Sequence, residues 1–258
     1  MAALILIFCL LISACVSPNQ GEQAGLSLTN IVENTSSPTV SSEGIKRPDS
    51  GAAWQIDFSS EIIEPSYAVQ VYDLDLFDTP ESTIRELKEK DVFLICYISV
   101  GSWENWRPDK ELFPEEIIGK NYTGWPGEKW LDIRRLDLLG PILEARFDLC
   151  KEKGFDGIDP DNVDGFQNDT GFPLTAADQL VFNRWLADQA HIRGLAIGLK
   201  NDPDQAAELE PFFDWALTEE CFQQGWCEEL LPFLQAGKAV FAANAVVGHN
   251  CPAAYPGR

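Results

Sequence analysis

The chain has 258 residues, 45% of them hydrophobic, enough to bury the core of one barrel-sized domain or of two small ones. Asp and Glu outnumber Lys and Arg by 41 to 19, a formal net charge of -22, which argues against a nucleic-acid partner and suits a cationic one. The only two histidines, His191 and His249, form no Cys/His ligand spacing, so no zinc site is expected and no cofactor is implied. Acidity also serves solubility, so charge alone does not identify the partner.

Residues 1–14 are apolar from Ala2 to Ala14 except at Cys9 and Ser13, too short a run for an ordinary membrane span, and read as a signal peptide. The run ends Ile12-Ser13-Ala14-Cys15, which resembles a bacterial lipobox with Cys15 as the lipidated residue. Residues 15–50 are then the lipidated cysteine and a Ser/Thr/Asn/Pro/Gly-rich tether. The expected product is an exported lipoprotein, on the cell surface or in the periplasm, that meets the membrane only through its N-terminal lipid.

Residues 51–258 form the expected folded domain. Short apolar runs predict strands at 54–58, 68–74, 92–100, 157–163, 196–199, 213–218 and 239–243, and helical patterns lie between them at 82–90, 141–153, 176–193, 203–209 and 227–236. Thr79-Pro80-Glu81-Ser82 opens one helix, and Gly154 and Gly194 close two others. This alternation predicts a parallel sheet, and its length favours an α/β barrel of TIM type, (β/α)8, over an open doubly wound sheet. Seven strands are legible and an eighth is not evident. No Gly-rich nucleotide-binding motif follows a strand. Export permits disulfides, and Cys221 and Cys227 are spaced for a small loop-closing bridge; the pairing of Cys96, Cys150 and Cys251 stays open.

Barrel active sites lie at the carboxyl ends of the strands. Those ends carry acids: Asp73 and Asp75, Glu104, then Asp159, Asp161 and Asp164, and finally Glu219 and Glu220, with Lys200 and Asn201 ending the fifth strand. Paired carboxylates without metal ligands are the equipment of glycosidases. In an extended strand Asp159 and Asp161 share a face, so both are placed to point into the barrel mouth. An EF-hand reading of this segment fails, because Asp164 stands where the loop requires Gly. Turn chemistry accounts for Asp164 and Asn168 but poorly for acids inside a strand.

Several ordered segments resemble glycoside hydrolase family 114, the endo-α-1,4-polygalactosaminidase family. They include Val71-Tyr72-Asp73-Leu74-Asp75, Cys96-Tyr97-Ile98-Ser99-Val100-Gly101-Ser102-Trp103-Glu104, Trp125-Pro126-Gly127-Glu128, Pro160-Asp161-Asn162, Gly198-Leu199-Lys200-Asn201-Asp202 and Glu219-Glu220-Cys221-Phe222. The resemblance implies a barrel hydrolase acting on an amino-sugar polysaccharide, α-1,4-linked galactosamine. It implies Asp161 and Glu219 as the catalytic carboxylates, nucleophile and acid/base of a retaining mechanism. Strand geometry alone leaves Glu219 and Glu220 open, and the resemblance favours Glu219.

Around the pair, Asp73, Asp75, Glu104, Asp132 and Asp159 are candidates for holding substrate ammonium groups, with structural pairing to Arg107, Arg134 or Lys200 as the competing reading. Tyr97 and Asn162 join the substrate-binding set, and Lys200 and Asn201 either bond a sugar hydroxyl or orient Asp161. Trp54 reads as core. Asp159 departs from the family, which often has Glu there. A second departure follows Phe241, where the family continues with Glu-Tyr and an eighth strand. This shortage motivates the alternative of a catalytically degenerate surface lectin that binds the same cationic polysaccharide.

Overall fold

The computed structural model describes residues 44–58 and 68–243. The expected signal peptide, Cys15, most of the tether, Cys251 and any eighth strand lie outside the described residues.

In chain order the elements are β1 (Trp54–Asp57), β2 (Val71–Asp75), α1 (Glu81–Glu89), β3 (Phe93–Ser99), β4 (Ser102–Glu104), β5 (Ile118–Asn121), β6 (Glu128–Leu131), α2 (Leu136–Lys153), β7 (Gly157–Asp161), α3 (Ala176–Ile192), β8 (Ala196–Lys200), α4 (Ala206–Leu209), β9 (Trp215–Glu219), α5 (Cys221–Gln224), α6 (Leu231–Gln235) and β10 (Ala239–Ala243). Seven strands form one parallel sheet in the order β1-β2-β3-β7-β8-β9-β10. The rings of Trp54 on β1 and Phe241 on β10 stand 5.2 Å apart, so the end strands meet through their side chains. The sheet is therefore a nearly closed (β/α) barrel of TIM type, with the eighth unit missing among the described residues.

Side-chain alternation along the strands divides the core in two. Outward residues such as Tyr72, Leu74, Leu94, Cys96, Ile98, Ile158 and Leu199 join the larger apolar cluster with the helices. Inward residues Val71, Phe93, Ile95, Ala196, Trp215, Leu217, Ala239 and Phe241 fill the barrel. Trp215 is wholly buried, and small neighbours give its ring room. A Cβ on Gly157 would stand 2.5 Å from Trp215 Cη2, and one on Gly198 would press still closer on Nε1. The lower barrel is thus plugged, and the polar inward residues are confined to the upper end.

The structure corrects the sequence reading in three places. Residues 102–131, given no element from the sequence, form a small antiparallel sheet of order β4-β6-β5, whose strands of three or four residues are too short to show periodicity. Helix α2 begins at Leu136, so Pro141 lies inside the helix instead of opening it. The helix after Thr79 has Pro80 at its N-cap position, with no side-chain cap. Gly154 closes α2 in the left-handed conformation, φ 97°. Disulfides join Cys96 on β3 to Cys150 on α2 and Cys221 to Cys227 across the turn after β9.

Candidate active site

Three neighbouring strands end in the same way. β7 stops at Asp161 because Asn162 turns to φ 65°, β8 stops at Lys200 before Asn201 at φ 51°, and β9 stops at Glu219 before Glu220 at φ 59°. Each left-handed residue breaks the ladder directly after an inward-facing charge. Asn tolerates that conformation; Glu does so less readily. Asp161, Lys200 and Glu219 are thereby set side by side at the barrel mouth.

Lys200 is the hub of this cluster, 2% exposed. Its Nζ stands 3.3 Å from Asp161 Oδ1, 3.5 Å from Asp159 Oδ2 and 3.6 Å from Glu219 Oε1. Burial alone would lower the pKa of the ammonium, but Asp159, Asp161, Glu219 and Asp73 more than offset this and hold it well above the usual lysine range. Since one Nζ touches both carboxylates, the two oxygens it contacts lie at most about 7 Å apart, which is compatible with the retaining separation of roughly 5–5.5 Å.

Asp161 is held from a second side. The Tyr97 hydroxyl donates to its Oδ2 at 2.9 Å. Burial first, and then the Asp161 charge, push the Tyr97 phenol well above its ordinary pKa, so it stays a donor. The Asp161 carbonyl accepts from Val100 and Gly101 N–H at 3.1 and 3.2 Å. This approach needs glycine at position 101, because a Cβ there would collide with the Asn162 carbonyl. Glu219 is freer, its side chain about half exposed. Its backbone N–H donates to Asn201 Oδ1 at 2.9 Å.

Not every expected ligand-binding residue faces open space. Arg107 closes on Asp75 at 2.7 Å and on Glu104 at 2.7 Å, and all three are buried, so these two acids balance an internal cation. Asp132 is clamped by both forks of Arg134 and is not among the cleft-lining residues. The Asn162 side chain turns behind the site, donating to Ser99 Oγ, Ser102 Oγ and Glu128 Oε1. Asn201 acts on Glu219 instead of Asp161. Asp73 and Asp159 lie wholly buried below Lys200. Glu220 is not on the opposite face of a strand, as alternation implied; it sits in the turn and accepts from Gln224 at 3.1 Å. Asp75 and Glu104 nevertheless reach the cleft wall beside Arg107, whereas Asp132 does not.

Other groups were not singled out from the sequence. A cleft of about 570 Å³ includes Phe58, Tyr97, Trp106, Tyr122, Trp125, Glu128, Asp161 and Glu219 in its lining. Trp106 and Trp125 are 48% and 63% exposed, large apolar faces left open to solvent. A recess of about 750 Å³, lined in part by Asp164, Gln167, Glu220 and Trp226, adjoins it across Asp164, Asn201 and Glu219. Burial first, and then Asp161, push the Asp164 carboxyl up to about 6. Burial pushes Glu128 up to about 7, against hydrogen bonds from Ser102 and Asn162 that lower it. The Trp125-Pro126-Gly127-Glu128 turn was visible as a motif, but nothing local shows that a hairpin carries it back over the barrel mouth.

A sequence profile of glycoside-hydrolase family GH114 matches residues 34–244. The fold and sequence are similar to Aspergillus fumigatus Ega3, solved in complex with galactosamine: 40% identity, TM-score 0.76, covering 80% of this chain and 82% of that one. The glycoside hydrolase domain of PelA from Pseudomonas aeruginosa shares the fold, with TM-score 0.56 and 14% identity, over 74% of this chain and 81% of that one. A search of curated proteins found no match. Profile and fold agree across the strands that carry the acidic mouth, and the chain belongs to glycoside-hydrolase family GH114.

Proposed function

We propose that this glycoside hydrolase cleaves α-1,4-linked galactosamine polysaccharide with retention of configuration, using Asp161 as nucleophile and Glu219 as acid/base. The observation that carries the reading is the single ammonium of Lys200 in contact with both carboxylates, which holds them close enough for a covalent mechanism. Asp161, gripped by Tyr97 and Lys200, has the fixed orientation that in-line attack on an anomeric carbon requires. Glu219, open to solvent, is able to protonate the departing glycosidic oxygen and then take a proton from the water that hydrolyses the glycosyl–enzyme ester. The sugar class rests on the 40% identity to a protein solved with galactosamine and on the chain's net charge of -22, which favours a cationic polymer. Exposed Trp106 and Trp125 offer stacking faces for sugar rings.

The test is oligosaccharide release from α-1,4-polygalactosamine, read by mass spectrometry, with the anomer of the first product followed by NMR. Asp161→Asn should abolish release, and Glu219→Gln should lower it by roughly 10²–10⁴-fold. Full activity in Asp161→Asn, or an inverted first product, would overturn the assignment. Binding of the polymer without release by folded wild-type protein would mark a lectin.

A further inference from the structure

Below Lys200 lie two carboxyl groups that this mechanism leaves unused. Asp73 on β2 and Asp159 on β7 point inward from alternate strands of the barrel, and each is 0% exposed. Each acts on the other's ionisation, so the two carboxyls are near neighbours. Written as two carboxylates, none of their four oxygens meets a hydrogen-bond donor. Lys200 stands 3.5 Å from Asp159 Oδ2, an ion pair without hydrogen-bond geometry.

The titratable groups facing this spot come from five strands: Asp73 on β2, the neutral Tyr97 on β3, Asp159 and Asp161 on β7, Lys200 on β8 and Glu219 on β9. Four ionised acids around one ammonium would leave a large uncompensated charge in a buried space. One proton between Asp73 and Asp159 removes the clash and turns two orphan acceptors into a donor and an acceptor. Burial and then the Asp159 charge push Asp73 well above the usual carboxylate range. For Asp159, which burial raises to about 6, Lys200 works in the opposite direction, so the proton belongs on Asp73.

We propose that Asp73 is a positioning residue that keeps its proton and donates a hydrogen bond to Asp159, so that the pair presents one negative charge to Lys200 and holds the ammonium between Asp161 and Glu219. The role of the held ammonium rests on the reading of Asp161 and Glu219 as the reacting pair; the protonation of Asp73 does not. An ionised Asp73 would add a second charge below Lys200 and draw it down, away from the reacting carboxylates. A neutral group of the same shape that still donates should therefore replace Asp73, whereas one that cannot donate should not.

The experiment has two readouts. The first needs no substrate: an infrared difference spectrum, wild type minus Asp73→Asn, at about pH 8. The expected result is the carbonyl band of a protonated carboxylic acid; a carboxylate band in its place would overturn the proposal even if the enzyme proved active. The second is kinetic. Asp73→Asn should keep kcat within about threefold, while Asp73→Leu, which cannot donate, should lose at least about tenfold in kcat with little change in KM. Equal losses in both variants, each folded by circular dichroism, would also overturn it. If Asp73→Asn does not fold, Asp202→Asn protein labelled with carbon-13 at its aspartate carboxyls supplies the test. A protonated aspartic band persisting at about pH 8 supports the proposal, and its absence refutes it. Activity retained in Asp161→Asn would instead sink the catalytic assignment and leave the infrared result standing.

Discussion

Asp202 offers a measurable test of the electrostatics of this barrel. It follows β8 in the left-handed conformation, φ 47°, with its side chain wholly buried. Asn183 on α3 donates to Oδ2 at 3.1 Å, and Oδ1 meets no donor. Burial, followed by the charges of Asp164 and Asp204, pushes the carboxyl up to about 8, and the Asn183 bond offsets only part of this. The folded-state value is raised above the unfolded one, so the native state keeps a proton that the unfolded chain releases. Stability from this group is fully present below about pH 4 and is lost as pH rises through about pH 8, since the unfolded chain binds fewer protons over that interval. At about 1.4 kcal/mol per pH unit, the loss reaches about 6 kcal/mol.

Asp202→Asn keeps the shape, tolerates the left-handed backbone and cannot ionise. Relative to the variant, the wild type should therefore lose about 1.4 kcal/mol of stability per pH unit between about pH 4 and 8, and nothing more above that. Urea unfolding of both proteins at half-unit steps from about pH 4.5 to 9, with unchanged m-values, measures the difference. Parallel curves would refute the reasoning and would mean that Asp202 is already ionised in the folded protein.

Two further predictions concern packing and cross-links. Gly198→Ala should drive a methyl into the Trp215 indole, whose ring is wholly buried and has nowhere to move; a cost of about 1–3 kcal/mol is expected, visible as a lower Tm by calorimetry, and an unchanged Tm would refute the plugged-barrel packing. Removing the Cys96–Cys150 bridge, 54 residues apart in sequence, should cost about 4 kcal/mol, against about 2 kcal/mol for Cys221–Cys227, 6 residues apart. Denaturant melts of the two paired Cys→Ala variants check this, and the reverse order would contradict the loop-closure argument.

Much of the fold was legible because barrel strands are short apolar runs whose order follows the chain. All seven strands of the barrel were placed within a few residues, and the fourth was carried two residues too far, past Asn162, which turns left-handed and ends it at Asp161. Inward alternation along the strand also put Asp159 and Asp161 on one face. The β4-β6-β5 sheet was not legible, since no strand in it is long enough to carry a period. The role of each acid was not legible either: Asp75 lies 32 residues from Arg107, and nothing near Asp75 in the chain shows that a guanidinium neutralises it.

By itself the sequence determined the parallel α/β architecture, the family and a mouth built from carboxylates, because all three depend on local periodicity and on motifs a few residues long. Only the tertiary structure decided which acids are available. Arg107 pairs with Asp75 and Glu104 and Arg134 with Asp132, while Lys200 gathers Asp159, Asp161 and Glu219 around one ammonium. The physical reason is that an acid's availability depends on the charges, donors and solvent within a few ångströms, and barrel closure draws these neighbours from segments far apart in the chain.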